Sequence, residues 1–255
     1  MAFKRWAARL GWPLLGFALA FVLWGLVASR LSDVAAIREA FSPQAGLRAL
    51  VRLLSSGVLW PHMAISLQRI GIALALALAI GVPLGVLLGL SPLFSRISGT
   101  LFQFLRMVSP LSWMPLAVMA LGVGEAPVLF LLAFAAVWPV MLNTAAGVAA
   151  LDPNWLRLAA SLSATRWETI SRVVLPGIVA HVLTGFRLAV GIGWIVLVPA
   201  EMLGVSAGLG YFILDTRDRL AYDELMAGIL VVGFLGFLLD ALARWLSRRW
   251  MRSAT

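Results

Sequence analysis

"RLAASLSATRWETISRVVLP", residues 157–176, is a charged, amphipathic stretch set between two long apolar runs. It carries Arg157, Arg166, Glu168 and Arg172 in a chain that is otherwise oily. Just upstream, Asp152 is suited to cap a helix and Pro153 to take its first position. Leu156, Ala159, Ala160 and Leu162 are then expected to form a small apolar face, with Arg157 and Ser161 turned away. A second amphipathic turn carries Trp167, Ile170, Val173 and Val174, and Pro176 is expected to end it before the next apolar run. Such a short helix either docks in a groove on a partner or lies on a membrane surface.

The runs on either side set the class. Of 255 residues, 62% are hydrophobic and only 12% charged, about half the charge of an average soluble domain. Mean hydropathy is +0.99. Several apolar runs reach the roughly 20 residues needed to cross a bilayer. The sequence therefore predicts an all-α membrane protein with six spans, at about 12–29, 63–90, 98–121, 126–150, 177–203 and 225–246. The first follows Lys4, Arg5 and Arg9 like a signal peptide, but its apolar run is too long and lacks an A-x-A site. It reads as a retained anchor.

Orientation follows from charge. With the N-terminus inside, eleven of the 20 Lys and Arg residues fall in the cytoplasm, from Lys4, Arg5, Arg9 and Arg96 through Arg157, Arg166 and Arg172 to Arg244, Arg248, Arg249 and Arg252. Six fall outside: Arg30, Arg38, Arg48, Arg52, Arg217 and Arg219. That bias predicts cytoplasmic termini, a cytoplasmic loop at 151–176 and periplasmic segments at 30–62 and 204–224. The net charge of +9 is thereby topological, and no nucleic-acid partner is expected. In the outer segments, Ser42 and Pro43 are placed to start a helix over 42–55, and 208–220 reads as a second helix or interfacial piece.

The chain has no Cys, which removes disulfides and thiolate chemistry, and no metal site is expected. Lys4 is its only lysine. A P-loop needs a lysine after its glycine-rich turn, so if the protein uses ATP and Mg²⁺ another chain must bind them, and this one is expected to bind no cofactor and to be no enzyme. "GVSAG" (204–208) matches the G-x-S-x-G hydrolase pattern without its strand-turn-helix setting, and reads as a glycine-rich turn.

Within the spans, Gly81, Gly85 and Gly89 recur every four residues, as do Gly185, Ala189 and Gly193. Such strips let helices approach closely. Pro83, Pro110, Pro115, Pro139 and Pro199 lie inside spans, where they suit either a transport path or a kinked bundle. Ionisable residues in spans are costly and demand partners. Arg69 and Glu201 both fall toward outer helix ends and are expected to pair, as are Asp240 and Arg244 one turn apart. Arg187 lies 11 residues past Pro176, roughly 16 Å into its span. Arg106, Arg187 and Glu201, with Ser109, Ser112, Trp113, Asn143 and Thr144, are the candidates for a translocation path; arginine matches oxyanions through its planar fork. For the arginines, bonding to carbonyls freed by proline remains the alternative.

The 157–176 stretch resembles the cytoplasmic coupling loop of ABC importer permeases, whose pattern is E-A-A, three residues, Gly, nine residues, I-x-L-P. Val173-Val174-Leu175-Pro176 sets the register, so E-A-A falls on Arg157-Leu158-Ala159 and the Gly on Ser163. "LWPHMAISLQRIGIALALALAIGVPLGVLLGLS" (59–91), "LRMVSPLSWMPLAVMALGVGE" (105–125), "TGFRLAVGIGWIVLVPAEMLG" (184–204) and "GLGYFILDTRDRL" (208–220) resemble the nitrate/sulfonate/taurine/bicarbonate importer permeases. The resemblance runs from about residue 55 to 245.

It implies a type I importer permease fold in the bacterial inner membrane. Its implied partners are a second copy of the chain, two ATP-binding cassette ATPases and a periplasmic binding protein, within membrane lipid. It also implies that Leu162, Ser163 and Ala164 form a turn seated in the ATPase, flanked by Arg157, Ala159, Ala160 and Trp167. Ser163 in place of Gly requires a conformation without positive φ, or some strain. The 208–220 stretch looks closer to sulfonate permeases, whereas departure from Gly at the loop position is more typical of the nitrate branch. A transporter or channel acting alone would not need the insert.

Overall fold

The computed structural model describes residues 2–30 and 39–253. Arg38, expected on the external side, lies outside the described residues. Every regular element among them is helical. The helices are α1 (Ala2–Arg30), α2 (Pro43–Ser55), α3 (Leu59–Leu90), α4 (Pro92–Met107), α5 (Met114–Leu121), α6 (Glu125–Ala149), α7 (Pro153–Ser161), α8 (Arg166–Thr169), α9 (Leu175–Gly204), α10 (Leu209–Asp218) and α11 (Tyr222–Ser253). A 3₁₀ turn, Pro110–Trp113, precedes α5, and a π turn, Ile170–Val174, joins α8 to α9. Among the described residues, four helical stretches are long and apolar enough to cross a membrane: Leu59–Leu90, Glu125–Ala149, Arg166–Gly204 and Tyr222–Trp250.

Two expectations are corrected. The third span is not one helix over 98–121: α4 ends at Met107, and the following Pro110–Leu121 piece is bent 93° from it. Pro110 lacks an N–H to continue the ladder and pushes the residue before it out of the helical region. Val108 and Ser109 accordingly have ψ near 128°. Counting the bent pair as one span brings the number to five.

Pro176 does not end a helix either, since Arg166–Gly204 runs through it. The π turn absorbs the proline: the Leu175 N–H reaches back to the Ile170 carbonyl, and Pro176 falls in the first turn of α9, where no N–H is required.

The described residues form two compact units, 2–30 and 39–61 with 212–233, and 62–211 with 234–253. In the first, Ser42 caps α2 by accepting from the Ala45 N–H, with Pro43 at the first helical position. The Trp24 indole donates to the Phe41 carbonyl at 2.9 Å, and the Phe41 ring stacks on Tyr222. Arg52 bonds to Asp223 and Glu224 at 3.0 and 3.2 Å. These exposed ion pairs contribute little each.

In the second unit the glycine strip of α3 lies against α6. A Cβ on Gly85 would come 2.5 Å from the Met141 carbonyl, and one on Gly89 would come 2.4 Å from Val148 Cβ. A side chain there would force the helices apart, which is why small residues recur every four positions. One end of this packing is a core of Val86, Val148, Val174 and Ile178, against which Leu151, Leu156 and Val182 also pack. Through Leu156 and Val174 it seats α7 and the π turn on the spans.

Candidate functional site: the coupling turn and the buried ion network

Asp152 caps α7 by accepting from the Asn154 N–H, and Pro153 takes the first position. The helix ends in a Schellman arrangement: the Ser163 N–H bonds to the Ala160 carbonyl and the Ala164 N–H to the Ala159 carbonyl, both at 3.0 Å. This closure puts the residue after the cap in the left-handed region. Ser163 has φ 54°, so it carries the strain that glycine would avoid. Leu220 closes α10 the same way, with φ 58°.

The apolar face of α7 divides differently from the expectation. Ala159 is buried and Leu156 half-buried against the core, whereas Ala160, Leu162 and the Arg157 head are exposed. Trp155 and Leu158 join the exposed set. The turning point is that the loop's own packing consumes the Leu156/Ala159 side. Leu162 and Trp167 are each 73% exposed, the most open large apolar side chains of the insert.

Between them Thr165 and Glu168 form a capping box. The Glu168 carboxylate accepts from the Thr165 N–H at 2.8 Å, and the Glu168 N–H donates to Thr165 Oγ1 at 3.2 Å. Backbone and side-chain bonds from Thr165 hold the Glu168 carboxyl below its usual range. This device was written in the sequence as T-x-x-E at 165–168, a signal that helical periodicity alone passes over.

A second constellation lies where α3 begins, α9 ends and α6 starts. Arg69 Nη1 meets Glu201 Oε1 at 2.7 Å and the Ala207 carbonyl at 2.6 Å. Arg69 Nε and Nη2 meet the two Glu125 oxygens at 2.7 and 2.6 Å. The expected Arg69–Glu201 pair is present; Glu125 is an unforeseen third member. Glu201 is fully buried, with its oxygens also held by Ser66 Oγ and the Gly210 N–H. His62 Nδ1 lies 3.2 Å from the Gly208 nitrogen, so the GVSAG segment is a turn clasped to α3. Glu201 thus sits enclosed in a satisfied network.

The remaining candidates are scattered. Arg187 pairs with Asp240 at 3.3 Å, and Asp240 also binds Arg244, as expected for that neighbour. Thr144 is wholly buried against Gly85 of α3. Ser109, Ser112 and Trp113 lie in the bent break, where the Trp113 ring packs 5.7 Å from Phe134. Arg106 and Asn143 come together. They line a cavity of about 440 Å³ with Pro110, Trp138, Leu188 and Ile192. Arg106 also lines a second cavity of about 470 Å³ with Gly99, Gln103 and Ala146. No lining residue of either is acidic.

Residues 81–252 match the family described as "Binding-protein-dependent transport system inner membrane component". The chain is 39% identical to the taurine transport system permease protein TauC of Escherichia coli (strain K12), over 75% of this chain and 70% of that protein. It is 34% identical to the nitrate import permease protein NrtB of Leptolyngbya laminosa, over 76% of this chain and 69% of that protein. In fold it resembles a chain of the MetNI methionine ABC transporter in an inward-facing conformation. That likeness has a TM-score of 0.61 and 15% identity, and covers 78% of this chain and 98% of the other. Members of the family are the membrane permease component, with the ATPase on a separate subunit. The chain belongs to the family of inner membrane components of binding-protein-dependent transport systems.

Proposed function

We propose that this chain is the permease subunit of an ATP-driven importer for a small oxyanion, with taurine-type aliphatic sulfonates as the preferred substrates. It works as a homodimer with two ATPase subunits and a periplasmic binding protein, in six spans with both termini in the cytoplasm. One observation carries the coupling role. The Leu162–Ser163–Ala164 turn, with Leu162 and Ser163 exposed, joins, through the capped Thr165–Glu168 start, a helix that runs on as far as Gly204. Movement of the turn is thereby delivered to a spanning helix. Arg157, Ala160 and Trp167 flank the contact, and Ala159 holds the turn through its carbonyl.

The anion path runs by the Arg106–Asn143 cavity at the bend of the third span. A cation with no acidic neighbour in the lining favours an anion, and the bend supplies non-helical backbone where a cavity can satisfy it. The similarity to TauC supports sulfonate; the similarity to NrtB, together with Ser163 in the glycine position, supports nitrate or bicarbonate as the second reading.

The test is reconstitution. The chain, its ATPase and its binding protein in proteoliposomes should accumulate labelled taurine only with ATP, and with little competition from nitrate. Uptake by the purified chain alone, without ATP, would overturn the proposal in favour of a self-contained carrier or channel.

A further inference from the structure

The guanidinium of Arg69 has two edges in unlike situations. The Nη1 edge is committed to buried groups, the Glu201 carboxylate and the Ala207 carbonyl. Among the described residues, the Nε/Nη2 edge is taken in a fork-to-fork pair by Glu125 alone. Arg69 is 3% exposed, while Glu125 is 60% exposed. The cover over this edge is therefore a single side chain already in contact with solvent.

Three features make that cover removable. Swinging Glu125 away moves no buried charge, and Arg69 remains neutralised by Glu201. The segment leading to it has Gly122 at φ 80° and Gly124 at φ 127°, with Val123 between them 85% exposed. Once released, Glu125 still stands in the first turn of α6, where the helix dipole favours a carboxylate.

A carboxylate held two-to-two by an arginine fork stands in for any anion that presents a pair of oxygens at similar spacing. We infer that the Nε/Nη2 edge of Arg69 is an oxyanion site whose resident occupant is Glu125, and that an incoming sulfonate, nitrate or carboxylate displaces it. This rests on the importer reading and gives it a docking point at the Glu201 end of the spans, apart from the Arg106 cavity. A tethered competitor acts at millimolar effective concentration, so the site binds weakly and releases readily, as a path requires. Displacement also unties the 122–125 segment from α3, so occupancy and opening of that segment are one event.

The experiment uses the purified full chain in detergent, with sodium methanesulfonate replacing sodium chloride at constant ionic strength. Thermal unfolding reports binding through the anion-dependent rise in midpoint. Glu125→Ala removes the competitor and should bind methanesulfonate roughly tenfold tighter than the unaltered chain or more. Glu125→Gln, which keeps the shape, should move the same way and serves if the alanine variant folds poorly. In an Arg69→Lys background, which keeps the charge for Glu201 and loses the second edge, Glu125→Ala should give no gain. Equal affinities with and without Glu125, or an undiminished gain with lysine at 69, would overturn the inference. A chain that holds its ATPase while its Glu125 variants ignore methanesulfonate loses the anion site alone and remains an importer permease.

Discussion

Arg69 and Glu201, 132 residues apart in sequence, meet at 2.7 Å with both side chains shut off from solvent. Ser66, Gly210 and Ala207 satisfy what the pair leaves open, so the network ties α3, the end of α9 and the following turn into one piece. A buried pair of this kind adds little over a well-packed apolar substitute, but removing one member strands the other charge. Arg69→Met, which leaves the buried Glu201 carboxylate without a counter-charge, should therefore destabilise the chain by about 3–5 kcal/mol. Thermal unfolding of the purified protein would show it as a lowered midpoint, and Arg69→Met combined with Glu201→Leu should recover part of the loss.

Strain at Ser163 gives a prediction of opposite sign. Its φ of 54° suits glycine, and the Schellman bonds around it do not use the side chain. Ser163→Gly should stabilise the α7 turn by about 1 kcal/mol, and Ser163→Val should destabilise it by more. Hydrogen exchange at the Ala164 amide, bonded to the Ala159 carbonyl, reads both changes.

Exposure separates docking from folding in the segment from α7 to α8. Leu162 and Trp167 stand in solvent, so Leu162→Asp and Trp167→Ala should leave the unfolding free energy within about 0.5 kcal/mol of the unaltered chain. The same variants should lose the ATPase in co-purification. Leu156→Asp, placed against the Val174–Ile178 core, should instead lower expression and stability.

Acid weakens the start of α8. Because the folded Glu168 carboxyl lies below its ordinary value, its capping contribution is present above that ordinary value and is lost as pH falls through the folded one. Amides of residues 166–169 should lose protection across that window, after correction for intrinsic exchange. In Glu168→Gln the acid step should vanish.

Close approach of α3 and α6 sets the fifth test. Gly85→Val would place its Cβ 2.5 Å from a backbone carbonyl, which cannot retreat without moving α6. A loss of about 1–3 kcal/mol or more in stability is expected, whereas Gly71→Val, with nothing within 4 Å, should be tolerated.

Local signals in the sequence carried far here. Apolar length, the Gly81/Gly85/Gly89 spacing, the Ser42–Pro43 and Asp152–Pro153 helix starts and the 157–176 insert each depend on neighbours within a few residues, and each is read from the chain alone. Even Arg69 and Glu201 could be matched, because two charges at one membrane depth have few other partners. What failed was of another kind. Pro110 and Pro176 carry the same rule, yet one breaks a span at 93° and the other is absorbed by a π turn. The outcome turns on whether the backbone groups released by proline find partners, and those partners come from the fold. Likewise Ala159 and Leu162 share one short helix and one chemistry, and only packing against Val174 and Ile178 decides which is buried and which is left for a partner. Glu125 completes the Arg69 fork for the same reason: its place beside α3 is created by the turn after α5, not by any spacing in the sequence. The sequence by itself determined the membrane class, the helix starts and the amphipathic insert at 157–176, since these are short-range. Tertiary structure alone decided which faces and charges remain open, since burial is a property of the assembled chain.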